Sequence, residues 1–277
     1  MVEQYAVIDS HVHYWEAGRP DRPWSSDGAD IGAPLLAEEL LRDAAAAGVS
    51  KILQVTPSIM GFDNRYSIEA ARRYPERIIG VIGRFDPTGD EVGRRLAQYV
   101  SQPGMLGARI TLIKRWKRWL LDGVLETFLA EAGRLRMPVQ IYAPNQGALL
   151  REAAKRHGET TFLVDHMTLS HSDPEPFRHW EDVLMLSDAP NVYVKVSYFP
   201  EVAHSAYPFE SVQPYFESLY ERFGPDRLIW GSNYPPSRSA CTYKESVEFV
   251  SGALSFLHAA DRQKILGTTL LRALGLH

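Results

Sequence analysis

The stretch AVIDSHVH, residues 6–13, decides the fold. It opens with a brief apolar, β-branched run at 6–9, and His11 and His13 follow at a spacing of two. A short apolar run with little alternation is how a strand buried on both faces reads. Seven further runs of this kind lie at 51–56 (KILQVT), 77–83, 105–111 (MLGARIT), 138–142, 161–165, 192–197 and 227–231. Between them the apolar spacing predicts helices at 36–47, 64–74, 90–100, 124–135, 147–156, 177–187, 211–223 and 243–254, with one more at 261–274. Eight strand–helix units in alternation predict an α/β fold, and the count favours a (β/α)8 TIM-like barrel over an open, doubly wound sheet. No GxGxxG follows the first strand, so the dinucleotide-binding open sheet lacks its main signal. No linker or low-complexity run divides the chain, and 1–277 is expected to be a single barrel domain.

In such a barrel the chemistry sits at the C-terminal ends of the strands. His11 and His13 project the same way from an extended segment. Their ring nitrogens suit one metal ion or one substrate carbonyl. The plain alternative is a surface pair in a loop, but the place just after a β-branched first strand favours function. The irregular stretches 15–34 and 198–209 both follow strands and are expected at the same rim.

Arg109 lies within the fourth predicted strand. A buried Arg is costly without an anionic partner, and its fork matches a carboxylate. The partner is either a substrate acid or an internal Asp. Arg115 stands in the basic run 114–118, which a solvated loop also explains. Lys195 shares a strand face with Tyr193 and Ser197, and needs a counter-charge or a ligand there. Arg84 is a further cation at a strand end. Trp15, Trp24, Tyr198, Phe199 and Tyr234 are rim aromatics suited to a ring-shaped substrate, though such residues commonly just pack loops down. Trp24 is retained as a binding candidate. His171 is expected outside the site, and Cys241 has no partner that suggests a catalytic thiol.

DSHVHYW (9–15), VDHMTLS (164–170) and LIWGSNYPP (228–236) occur in order at barrel-strand spacing. Together they resemble the amidohydrolase-2 branch of the amidohydrolase superfamily, and more narrowly the sugar-lactone and 2-pyrone-4,6-dicarboxylate lactonase group. The likeness covers nearly the whole chain. It implies that His166 faces the pocket and polarises the substrate carbonyl, and that Arg109, Arg115 and Tyr142 hold substrate carboxylates. Where this chain has Asn233 the family usually has Asp, the general base for water. Asn cannot take up a proton but still hydrogen-bonds. Many amidohydrolases carry a metal-binding His at the end of strand five, where this chain has Tyr142. One divalent metal, Zn²⁺ or Mn²⁺, held by His11 and His13, is therefore set beside a metal-free site.

The resulting expectation is a hydrolase that opens a small carboxylated lactone. His11, His13, His166 and Asn233 would be catalytic, with Arg109, Arg115, Tyr142, Lys195 and Trp24 binding substrate. The alternatives are a metal-dependent, non-oxidative decarboxylase of an aromatic or unsaturated acid, and a non-catalytic binder of small acids, prompted by Asn233. Composition narrows the partners. A net charge of −4 over 277 residues offers no basic stripe for nucleic acid. No run of about 18 apolar residues suggests a membrane span, and the N-terminus lacks a signal-peptide pattern. One cysteine excludes an internal disulfide and fits the cytoplasm. A small anionic organic substrate is the expected partner, with a homo-oligomer allowed.

Overall fold

In a computed structural model, which describes residues 6–28 and 31–276, eight parallel strands follow one another around a barrel in chain order. They are β1 (Ile8–Val12), β2 (Lys51–Val55), β3 (Ile78–Arg84), β4 (Met105–Thr111), β5 (Val139–Tyr142), β6 (Phe162–Val164), β7 (Val192–Val196) and β8 (Leu228–Trp230). A bridge between Val12 and Tyr234 brings the far end back to β1, and the His13 amide donates to the Tyr234 carbonyl at 2.9 Å. The architecture is the expected (β/α)8 barrel.

Helices cover the outside: α1 (Ala37–Ala46), α2 (Arg65–Arg73), α3 (Val92–Val100), α4 (Glu126–Arg134), α5 (Gly147–Arg156), α6 (Trp180–Leu184), α7 (Phe199–Val202), α8 (Gln213–Phe223), α9 (Tyr243–Glu248), α10 (Ala259–Gln263) and α11 (Thr269–Ala273). Each of the longer ones buries one stripe, as Leu40, Leu41 and Ala44 do on α1. A fully buried Leu contributes about 1.5–3 kcal/mol through lost water contact. Two expected helices are interrupted by wider turns, at Phe249–Ala253 and Lys264–Thr268. The stretch 198–209, expected to be irregular, contains α7, with Pro200 in its first turn. No helix among the described residues is long and apolar enough to cross a membrane.

Strand alternation splits the core in two. Ile52, Val81, Phe162 and Leu228 face outward beneath the helices. Ile8, Leu53, Val55, Ile82, Leu163 and Ile229 meet inside the barrel, where Leu270, Ala273 and Leu274 pack against them. The interior is thus apolar where the strands begin. Nearer their C-terminal ends it holds Gln140, Asp165 and Lys195, all fully buried. Polar groups concentrated at one end of a closed barrel mark the end that does chemistry.

β1 is the strand whose bounds differ most from expectation, and the reason bears on the site. Asp9 pairs with Ile52 but Val12 pairs with Gln54, so Ser10 and His11 together face one residue of β2. This extra residue is a bulge, which inverts the inside–outside order of the strand. Before it Ile8 points in, and Asp9 points out to receive the Tyr243 hydroxyl of α9. Beyond it Val12 packs outward, and His11 and His13 turn inward.

Candidate active site

Asp9 locks this geometry without entering the cavity. Its Oδ1 accepts the amides of His11 (2.8 Å) and Ser232 (3.0 Å), and its Oδ2 accepts the Tyr243 hydroxyl (2.7 Å). Gly231 lets β8 close on β1, because a Cβ there would stand 2.7 Å from the Cβ of His11. Side chains on the two strands could not approach so closely.

The histidines differ in place and state. His13 Nδ1 lies 2.7 Å from the Val55 carbonyl. A carbonyl only accepts, so Nδ1 carries the proton and Nε2 is left as an acceptor. His166 Nδ1 lies 3.2 Å from the Ser197 carbonyl and 2.9 Å from its hydroxyl, which fixes the same tautomer. His166 sits in the left-handed region at φ 54°, as do Met167 and Thr168 after it. Such backbone costs of order 1–3 kcal/mol per residue and is held by the surrounding structure. His11 was expected to share the cavity wall with His13. Instead it is fully buried beneath it, its ring 4.9 Å from that of His13 and 4.5 Å from that of His166. Burial, and then nearby cations, hold all three imidazoles neutral: His13 is lowered to about 3, and His11 and His166 lie well below the usual range.

Asp165 is the charged hub. Its Oδ2 accepts from Arg109 Nε (3.1 Å) and Gln140 Nε2 (3.0 Å), and its Oδ1 lies 3.1 Å from His11 Nδ1 and 3.5 Å from Lys195 Nζ. Burial pushes this carboxyl up, but the flanking His11, Lys195 and Arg109 outweigh it and keep the acid ionised. Lys195 also donates to the Ser10 carbonyl (2.7 Å) and to Gln140 Oε1 (3.0 Å). It lies off the cavity wall, so its place is that of an internal counter-charge, not a substrate contact. Burial lowers it to about 8 against the pull of Asp165.

One feature of this hub suits a cation. His11 Nε2 is buried without a hydrogen-bond partner among the described residues, while its Nδ1 and Oδ1 of Asp165 face each other with Lys195 Nζ beside them. Ligand atoms of His11, Asp165 and His166 fall within 4.8 Å of one another. Two imidazoles and a carboxylate are an ordinary donor set for a divalent ion, so the residues fit one. The expected ligand pair was His11 and His13; the cluster among the described residues joins His11 to Asp165 and His166 and does not include His13.

Above the hub opens a cavity of about 520 Å³, within the usual range for small-molecule sites. Buried His13, Arg109, Tyr142, His166 and Asn233 line it, together with the more exposed His171, Lys114 and Lys117. None of the described lining residues is an Asp or a Glu. Arg109 pairs with Asp165, the internal partner its sequence position allowed, and also faces the cavity. Only its Nε is hydrogen-bonded among the described residues. His171, expected outside, is in the wall. Its amide meets the Tyr142 hydroxyl at 3.4 Å, its ring packs 4.3 Å from that of Tyr198, and burial lowers it to about 4.

Besides Lys195, two more of the expected binding residues lie elsewhere. Arg115 is two-thirds exposed and pairs with Asp27 at 2.7 Å, as a solvated loop residue does. Lys114 and Lys117 of the same run line the cavity instead, and Lys114 is tied to the carbonyls of Ser26 (3.1 Å) and Gly28 (2.6 Å). Trp24 is 39% exposed, stacks over Gly18 and donates to the Glu16 carbonyl at 3.1 Å, so it packs its own loop. Arg84 lies behind the wall, 5.6 Å and 5.0 Å from the rings of Phe62 and Trp116, and donates to the hydroxyl of Thr111.

Two residues escaped the sequence reading. Asp165 was visible beside His166 at a strand end, and its pairing with the neighbouring Arg109 was the available signal. Glu201 was visible as the one acid in 198–209. It stands on α7 and accepts from Asn233 Nδ2 at 2.8 Å.

The sequence profile of the amidohydrolase family matches residues 8–276. An L-fucono-1,5-lactonase from Burkholderia ambifaria is 27% identical over 238 residues, covering 84% of this chain and 81% of that protein. A 4-sulfomuconolactone hydrolase from Rhizobium radiobacter is 26% identical over 206 residues, covering 72% and 66%. The crystal structure of an amidohydrolase from Burkholderia multivorans with bound zinc superposes with a TM-score of 0.82 at 21% identity, covering 98% of this chain and all of that one.

Proposed function

Since the chain belongs to the amidohydrolase family, we propose that it opens a small acidic lactone by water attack on the ring carbonyl. The observation that carries this reading is the charge of the cavity wall: Arg109, Lys114 and Lys117 against no described acid. The lactones named for two relatives support the bond type, and the wall supports an anionic form of it.

The chain's own groups suit the steps. Arg109 offers the terminal nitrogens of its guanidinium to a substrate carboxylate, with the Tyr142 hydroxyl beside it. His13 presents an unprotonated Nε2, which accepts the O–H of the attacking water. Asn233 reaches the same cavity and adds a neutral acceptor. His171, whose ring nitrogens make no hydrogen bond among the described residues, is a neutral donor for the carbonyl oxygen as charge grows on it. His11, Asp165 and His166 would hold a divalent ion such as zinc, whose contribution there is Lewis-acid polarisation of the carbonyl.

The test is proton release on mixing purified protein with L-fucono-1,5-lactone, which is neutral, and with a carboxymethyl butenolide, which is anionic. The expected result is turnover of the acidic lactone with kcat/KM at least tenfold higher, and loss of about 100-fold in kcat in His13→Ala. Failure to open any acidic lactone overturns the proposal.

A further inference from the structure

Glu201 is an expensive residue to keep where it is. Among the described residues its Oε2 is buried without a hydrogen-bond partner, and Asn233 Nδ2, at 2.8 Å from Oε1, is the one side chain that donates to the carboxylate. No cation pairs with it among the described residues; the titratable groups that feel its charge are Tyr198 and Cys241. Burial accordingly pushes its carboxyl up to about 8, opposed by the Asn233 hydrogen bond. An apolar side chain would serve packing at lower cost, because a buried acid is favourable only when well paired.

What this carboxylate does is orient an amide. Asn233 is 2% exposed, lines the cavity and sits at φ 56°, a left-handed conformation that Asn tolerates better than most residues. The two ends of an amide have nearly the same shape, so packing alone does not choose between them. Once ionised, above about pH 8, Glu201 accepts and never donates, so only the NH2 end of Asn233 can face it, as the Nδ2–Oε1 contact has it. The carbonyl end of Asn233 is then left for the cavity, and its Oδ1 accepts no hydrogen bond from the described residues.

We propose that Glu201 is a positioning residue: it fixes the side chain of Asn233 with Oδ1 toward the cavity, as an acceptor for an O–H of the attacking water. The role rests on the lactonase reading for its reaction, but its geometry can be tested apart from turnover. Replacing Glu201 by Gln lets either amide end face Asn233, so the acceptor is no longer fixed. Replacing Asn233 by Asp sets two carboxylates against each other at the same contact. Making both changes restores one donor–acceptor bond with its direction reversed, and returns a carboxylate oxygen to the cavity.

The experiment measures, at pH 9 where Glu201 is ionised, kcat, KM and Tm of Glu201→Gln, Asn233→Asp and the double variant on the carboxymethyl butenolide. Each single variant is expected to lose at least tenfold in kcat with KM within about threefold, and the double variant to recover to within about threefold of wild type. The double variant keeps the buried pair, so it reads out even where a single variant cannot fold. A folded Glu201→Gln with wild-type kcat, or a double variant no better than the worse single one, overturns the role. Independently of any substrate, the side-chain amide protons of Asn233, assigned by their loss in Asn233→Ser, should exchange at least tenfold more slowly than exposed Asn amides. Exchange at the exposed rate overturns the proposal. A wild-type protein with slow exchange and no lactone turnover overturns the lactonase reading instead.

Discussion

A free imidazole titrates near pH 6.5, but those in this cavity do not. Burial lowers His13 to about 3 and His171 to about 4, so both stay neutral well into acid. If neutral imidazoles carry the reaction, kcat/KM should show no limb at 6.5: it falls once near 8, as Glu201 takes up its proton, and again only toward 4. A profile measured from pH 4 to 9 checks this, and an acid limb centred on 6.5 would count against it. Stability moves oppositely to tolerance. Between about 6.5 and 4 the unfolded chain binds protons that the folded one refuses, so these groups lower stability as pH falls through that window. At this scale the sequence announced the types of residue but not their partners. HxH after a first strand is legible because strand ends carry barrel chemistry. The burial of His11, the Asp165 hub and the hold of Glu201 on Asn233 are contacts between distant segments, which no local spacing encodes.

Single elements explain where the reading of β1 fell short. Its apolar run was plain, but a bulge is one extra residue facing a partner strand, and the partner is invisible in sequence. The bulge decides that the histidines turn inward, and Gly231 makes the room for it. Gly231→Ala drives a methyl group against the Cβ of His11, and should cost about 1–3 kcal/mol, as overpacking does. Denaturant midpoints at unchanged m-value measure this; a midpoint equal to wild type would mean that the strands part freely. The other strands were readable to within a residue or so because runs buried on both faces leave little ambiguity. Helix α7 was missed because four residues give no periodicity to detect.

Across the whole molecule, one end of the barrel supplies stability and the other the chemistry. Leu270 and its neighbours close the apolar end, far from His13 and Arg109 in the fold. Leu270→Ala should therefore cost about 2–5 kcal/mol, seen as a lowered Tm, while KM for an acidic lactone stays unchanged. A raised KM would show that the two ends are coupled. The strand–helix count made this architecture legible from the sequence, since eight units in alternation have few ways to bury both faces of every strand. The charge of the cavity was only half legible, because Lys117 and Arg115 look alike in the run 114–118 and differ only in where the loop places them.

The cation-walled cavity is the claim on which the rest stands. The most direct test compares an acidic lactone with its methyl ester, in wild type and in Arg109→Met, by initial rates of ring opening. Wild type should prefer the acid by about 10- to 100-fold in kcat/KM, the worth of one charge-assisted contact of about 1.5–3 kcal/mol, and the preference should collapse in the variant. Equal rates for acid and ester in wild type would contradict it.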